Sequence, residues 1–149
     1  MRSTMIGYLL FPALLAAGAV RADDATPVGK WRTIDDKSGK PKSIVEIWEE
    51  DGKLYGKVDQ LLDPKPDDPD PVCKKCDGDL KDKPILGMRI MWDLKKSGDL
   101  WSGGKVLDPD NGKTYRCNLT LAAGGKKLQL RGYIGLALLG RTQTWIREE

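Results

Sequence analysis

The sequence predicts an all-β protein: a single eight-stranded antiparallel up-and-down β-barrel with one long Pro/Asp/Cys-rich loop. Three observations lead there. Eight short runs rich in strand-forming residues follow one another along the chain. Most links between them are short and made of Gly, Asp, Asn, Ser and Lys, residues that turn a chain. No helical pattern of about 10–15 residues separates the runs, so neighbouring runs pair antiparallel and a parallel sheet is disfavoured. Closing eight strands on themselves removes exposed edges and leaves an interior that side chains fill or that holds one small ligand.

The elements follow in order. Residues 1–22 read as an export signal: Arg2 supplies a positive end, Met5 to Val20 an apolar run, and Val20-Arg21-Ala22 a cleavage site cut after Ala22. Of the 149 residues, this leaves 23–149 as one domain of 127, enough for a single core and too few for two. Val28 to Ile34 is the first strand, ended by Asp35-Asp36-Lys37-Ser38-Gly39. Ser43 to Trp48 and Lys53 to Leu61 flank Asp51-Gly52, the strongest hairpin signal, because Asp-Gly tolerates the positive φ angles of a tight turn. Asp63 to Pro84 breaks the rhythm with five Pro, several Asp and two Cys, and reads as a long irregular loop. Leu86 to Leu94 ends at Lys95-Lys96-Ser97-Gly98-Asp99, and Leu100 to Leu107 at Asp108-Pro109-Asp110-Asn111-Gly112. Lys113 to Leu121, Lys126 to Ile134 and Arg141 to Arg147 complete the set. Alternation is visible in several of the strands and gives them one covered face. Tyr115, Cys117, Leu119 and Leu121 share a side, and Met88, Ile90 and Trp92 oppose Arg89, Met91 and Asp93.

Composition narrows the function. The chain has no His, which removes His-based acid/base catalysis, His-assisted triads and His-ligated metals. Without Arg2 and Arg21, 23 basic residues face 22 acidic ones, so no basic face concentrates for nucleic acid. No stretch after the leader is long enough to span a bilayer; Tyr133 to Leu139 is seven residues. The expected location is the periplasm or the extracellular space, and the expected state a monomer or weak dimer.

Gly29-Lys30-Trp31 resembles the Gly-x-Trp opening of lipocalins, ligand-binding barrels in which the Trp closes the floor under a basic residue of the last strand. That resemblance makes Gly29 and Trp31 floor residues, with Arg147 or Arg141 over the ring. A broader likeness rests on several blocks: Val28-Gly29-Lys30-Trp31; Gly78 with Pro84-Ile85-Leu86-Gly87; Trp101 to Pro109 with Gly112-Lys113-Thr114-Tyr115; and Leu130-Arg131-Gly132-Tyr133 with Gly140 to Trp145. These resemble the bacterial secreted family catalogued as domain of unknown function 2147. The resemblance implies a small periplasmic lipocalin-like barrel and carries over no catalytic residue.

Chemistry-bearing groups are few. Cys73-x-x-Cys76 sits in a loop ending in Asp77-Gly78, unlike the helix N-terminus that activates a redox pair. Zinc would need Cys117 and a carboxylate such as Asp77 or Asp79 besides the two loop Cys, and no metal is expected. A Cys73–Cys76 disulfide with Cys117 buried is the expected pairing; a link from Cys117 to either loop Cys is the alternative. Asp63, Asp67, Asp68 and Asp70 lack calcium-loop spacing and read as solvated. The last two strands carry Arg131, Tyr133, Arg141, Gln143 and Trp145, which Lys105 and Tyr115 could join. If these face inward, two guanidinium groups enter the barrel and call for an anion. An outward solvated face, or pairing with Glu46 or Asp59, is the competing arrangement. The function expected is therefore non-enzymatic and cofactor-free: binding of a small amphipathic or anionic ligand in the interior. The alternative is a filled barrel that docks on other envelope proteins through Asp63–Pro84 and Ile134–Leu139.

Overall fold

A computed structural model describes residues 25–136 and 140–149. The expected leader and part of the Ile134–Leu139 segment lie outside the described residues. Eight strands form one closed antiparallel barrel in sequential order: β1 Gly29–Ile34, β2 Pro41–Glu50, β3 Lys53–Leu61, β4 Arg89–Ser97, β5 Leu100–Asp108, β6 Lys113–Ala122, β7 Lys127–Tyr133 and β8 Arg141–Arg147. Closure is made by β1 against β8, where Trp31 stands opposite Arg147 and Arg32 opposite Ile146. All eight expected runs are strands, and their ends shift by a few residues.

The largest shift is at β4, which begins at Arg89 rather than Leu86. Residues Ile85 to Met88 are spent on a turn. The amide of Gly87 donates to the Val58 carbonyl, that of Met88 to Ile85, and Gly87 adopts a φ of +82°. Leu86 is thereby left exposed. The expected alternation of β4 also fails. Met88 and Ile90 are buried, but so are Met91 and Leu94, and Trp92 turns outward opposite Lys105. The cause is a pair of register irregularities against β3: one between Arg89 and Met91 puts both Ile90 and Met91 inside and Trp92 outside, and one between Met91 and Leu94, where Asp93 has a φ of +61°, brings Leu94 inside again. An extra residue in one strand moves every later side chain to the other face.

The interior is packed at one end. Trp31, Ile47, Leu54, Met91, Leu94, Leu119 and Leu128 are fully buried there or nearly so. Trp31 also donates its indole N–H to the Pro27 carbonyl at 2.8 Å, so the ring is buried without an unpaired donor. Trp101 and Trp145 are buried as well, whereas Trp48 lies on the outer wall. It stacks on Tyr55, and the Arg89 guanidinium lies 5.3 Å from one ring and 5.1 Å from the other. That explains how a strand face with no core partner still carries a large aromatic residue.

The even alternation of short links sorts the loops. The β2–β3, β4–β5 and β6–β7 turns lie at the packed end, with both chain segments that flank β1 and β8. The β1–β2, β3–β4, β5–β6 and β7–β8 connections lie at the other. The β3–β4 connection is less irregular than its composition suggests. It contains a 3-10 turn at Gly78–Leu80 and two bridges, Lys65 with Asp68 and Val72 with Pro84.

Candidate functional site

The two barrel ends differ, and the floor explains the closed one. Arg147, at the end of β8, lays its guanidinium 4.2 Å from the centroid of the Trp31 ring. Its three nitrogens donate to backbone carbonyls: Nε to Gly125 at 2.7 Å, Nη1 to Val28 at 3.0 Å and Nη2 to Thr26 at 2.6 Å. One side chain thus ties the N-terminal segment, the β6–β7 turn and the first strand together. Burial lowers the Arg147 pKa from its ordinary value, a direction set by desolvation of the cation. Gly29 has a φ of +136°, and a Cβ there would stand 2.9 Å from Arg147 Nη1. Glycine at that position is what lets the cation close over the ring. Of the two arginines considered for this place, Arg147 takes it.

At the other end the barrel is open. A cavity of about 1000 Å³ runs from the mouth into the interior. Its wall carries the apolar side chains of Val45, Val58, Ile90, Val106, Leu130 and Trp145. Among them runs a polar belt of Thr33, Ser43, Tyr115 and Gln143, with Tyr115 directly opposite Val106 and Gln143 opposite Leu130. The mouth itself carries charges of both signs, including Asp35, Asp36, Lys37, Lys42, Lys65, Asp108 and Asp110.

The polar belt is bonded within itself. Thr33 and Ser43 share a hydroxyl–hydroxyl bond of 2.7 Å across β1 and β2. Trp145 donates its indole N–H to Gln143 Oε1 at 3.2 Å, and Gln143 Nε2 donates to Asp36 Oδ2 at 2.9 Å. Arg141 reaches the same carboxylate oxygen at 3.2 Å. The β1–β2 loop is therefore tied to β8 by a chain that starts deep in the cavity and ends at its rim. Tyr115 accepts a bond from Asn111 Nδ2 at 2.8 Å through its phenol oxygen. Lys42 pairs with Asp110, linking β2 to the β5–β6 turn. These stand three to four strands apart in the ring, so the pair crosses the mouth.

Register sorts the sequence-predicted residues. Directly opposed residues of an antiparallel pair point to the same side. Leu128 opposes Trp145, Leu130 opposes Gln143 and Gly132 opposes Arg141, all on the inward side. Arg131 opposes Thr142 on the outer side and donates to its hydroxyl at 3.0 Å. The expectation of two inward guanidinium groups is thus corrected: Arg141 borders the cavity and Arg131 does not. The reason is parity, since one position along β7 separates Leu130 from Arg131. Lys105 is also outward, exposed and opposite Trp92 and Arg116. Tyr133 shares the outward parity of Arg131 but ends its strand, where it borders the mouth. Tyr115, Gln143 and Trp145 line the cavity. The partner of Arg141 is Asp36, not Glu46 or Asp59; those two pair with Lys57 and Lys30.

Cys73 and Cys76 lie with their sulfur atoms at bonding distance, 1.97 Å, and both are buried. Cys117 is a free thiol buried inside β6, and burial pushes its pKa up to about 12. The Cys loop is seated on the β5–β6 turn. A Cβ at Gly112 would fall 1.9 Å from the Lys75 carbonyl oxygen, so only glycine admits that approach. Among the described residues, no three His, Cys, Asp or Glu side chains are placed to hold a metal ion.

Comparison with known proteins agrees with this architecture. A family model described as an uncharacterised protein conserved in bacteria, DUF2147, matches residues 29–147. The chain belongs to the DUF2147 family. The matched DUF2147 span starts at the floor glycine and ends at the floor arginine, so it covers the complete barrel. A solved structure is similar over 84% of this chain and 84% of its own, with 25% identity and a TM-score of 0.72. It is described as protein HP1028 from the human pathogen Helicobacter pylori, belonging to the lipocalin family. This DUF2147 chain is therefore lipocalin-like in fold. A search of curated proteins found no match.

Sequence reasoning missed Asp36, Thr33, Ser43 and the Lys42–Asp110 pair. Asp36 sits in a turn-forming string, and nothing in its neighbours signals a bond to a residue more than a hundred positions away.

Proposed function

We propose that this chain is an exported, non-catalytic barrel that takes a small amphipathic molecule into its interior through the open end. The cavity carries the reading: its wall combines apolar side chains with a polar belt, and it is open at the mouth. An apolar chain buried against Val45, Val58, Leu130 and Trp145 gains roughly 25 cal/mol for each Å² removed from water. The lipocalin-family description of the similar Helicobacter pylori protein supports the same reading. Binding rather than catalysis is favoured because most polar groups of the wall already have partners within the protein: Thr33 with Ser43, and Gln143 with Trp145 and Asp36. Export is supported by the Arg2, Met5–Val20 and Val20-Arg21-Ala22 pattern, and by a Cys73–Cys76 pair suited to an oxidising compartment.

The test is native mass spectrometry and titration of tryptophan fluorescence with single-chain amphiphiles. One molecule bound per chain is expected, with Trp145 reporting. Leu130→Trp, which pushes a larger ring from the wall into the cavity, should weaken binding at least about tenfold while the barrel still folds. Absence of binding by the unaltered protein overturns the reading. A second reading has its own observation: Ile134 and Leu136 are 64% and 69% exposed beside the mouth, as a docking surface for an envelope protein would be. Capture of a partner that survives Leu130→Trp and is lost in Ile134→Asp would favour it.

A further inference from the structure

Resting on the ligand-binding reading above, we infer that the cavity selects amphiphiles whose head group has no net charge, over fatty carboxylates and over cationic chains. The argument starts with the charges at the cavity. Arg141 faces Asp36 at 3.2 Å, and Lys42 pairs with Asp110. Each of these side chains already has a counter-ion within the protein. The other four lysines of the lining, Lys37, Lys65, Lys74 and Lys75, are matched in number by Asp35, Asp63, Asp68 and Asp108, so the field at the opening is balanced rather than positive.

Below the mouth, the belt is made of neutral groups. Thr33 and Ser43 satisfy each other, and Gln143 is held between Trp145 and Asp36. The Tyr115 oxygen accepts from Asn111 and keeps its own O–H to give. A carboxylate head drawn to this level would lose water without meeting an unpaired cation, and Asp36 would repel it. A quaternary ammonium head would meet hydroxyl and amide groups that cannot replace its hydration. A hydroxyl or amide head loses less on leaving water and can accept from Tyr115 on one wall or donate to a lone pair of Thr33 or Ser43 on the other. The cavity therefore distinguishes ligands by head-group charge, with the apolar chain supplying the affinity common to all.

The experiment compares four probes with one dodecyl chain: dodecanol, dodecanamide, dodecanoate and dodecyltrimethylammonium, each below its micelle threshold at pH 8. The readout is isothermal titration with tryptophan fluorescence. Dodecanamide and dodecanol are expected to bind at least about tenfold more tightly than the two ions. Asp36→Asn removes the counter-ion of Arg141 and should raise dodecanoate affinity relative to dodecanamide by about threefold or more. Dodecanoate binding the unaltered protein as tightly as dodecanamide overturns the inference and leaves the cavity reading standing. An unchanged ratio in Asp36→Asn overturns it too, because the selectivity would then not arise from the internal pairing. If none of the four binds, the cavity reading fails along with it.

Discussion

At the residue scale, two side chains show how position along the barrel decides chemistry. Arg147 serves the floor because it makes three carbonyl contacts and one ring contact at once. Arg147→Ala would leave three carbonyls without a donor and uncover Trp31, and should cost about 2–4 kcal/mol in urea unfolding. Gly29→Ala is expected to destabilise through the same contact, since its methyl meets the guanidinium. Cys117 gives a pH signature. Its folded pKa of about 12 lies above the ordinary value of 9.0, so the folded chain holds the thiol proton where the unfolded chain has lost it. The thiol's contribution is intact below pH 9.0 and declines as pH rises toward about 12. The slope approaches about 1.4 kcal/mol per pH unit inside that window. Denaturation of the protein and of Cys117→Ala at pH 8 and pH 10.5 should show the difference between them shrinking at the higher pH. At this scale the sequence displayed Gly29, Trp31 and the candidate arginines. It did not display which arginine reaches the ring, because that depends on β8 closing against β1.

At the element scale, the short hairpins were legible and the long connection was not. Asp51-Gly52 makes its turn with Asp51 at φ +50°, as an Asp-Gly pair between two alternating runs predicts. The start of β4 was misjudged because Ile85-Leu86-Gly87 looks apolar enough for a strand, while long-range bonds to Pro71 and Val58 hold it in a turn. The β3–β4 connection, read as irregular from its Pro and Asp, is anchored by two buried Cys and by its seat on Gly112. Gly112→Ala should lift the Cys loop off the β5–β6 turn. Limited proteolysis is expected to cut between residues 73 and 83 several-fold faster in this variant, while far-UV circular dichroism reports an unchanged barrel. Equal cutting rates would mean that the loop is held by other contacts.

At the scale of the whole molecule, one end is sealed by a cation on an aromatic ring and the other is open over a cavity. The Lys42–Asp110 pair crosses that opening, with both side chains largely in water. Such exposed pairs contribute about 0–1 kcal/mol, so Lys42→Ala should leave stability nearly unchanged. Stopped-flow association of an apolar fluorescent probe is expected to quicken in that variant, because the bridge obstructs entry. The sequence by itself determined the barrel: alternation, turn residues and the absence of helical patterns are local signals, and eight of them in series leave closure as the way to hide every edge. It also marked the floor motif and the local Cys pair. Only the tertiary structure decided which side chains meet inside. A single-residue step in register sent Arg131 and Lys105 outward, a bulge between Arg89 and Met91 turned Trp92 with them, and closure brought Asp36 to Arg141 and Gln143. Those outcomes depend on how distant strands are aligned, and local sequence carries the period of a strand but not its register against a neighbour.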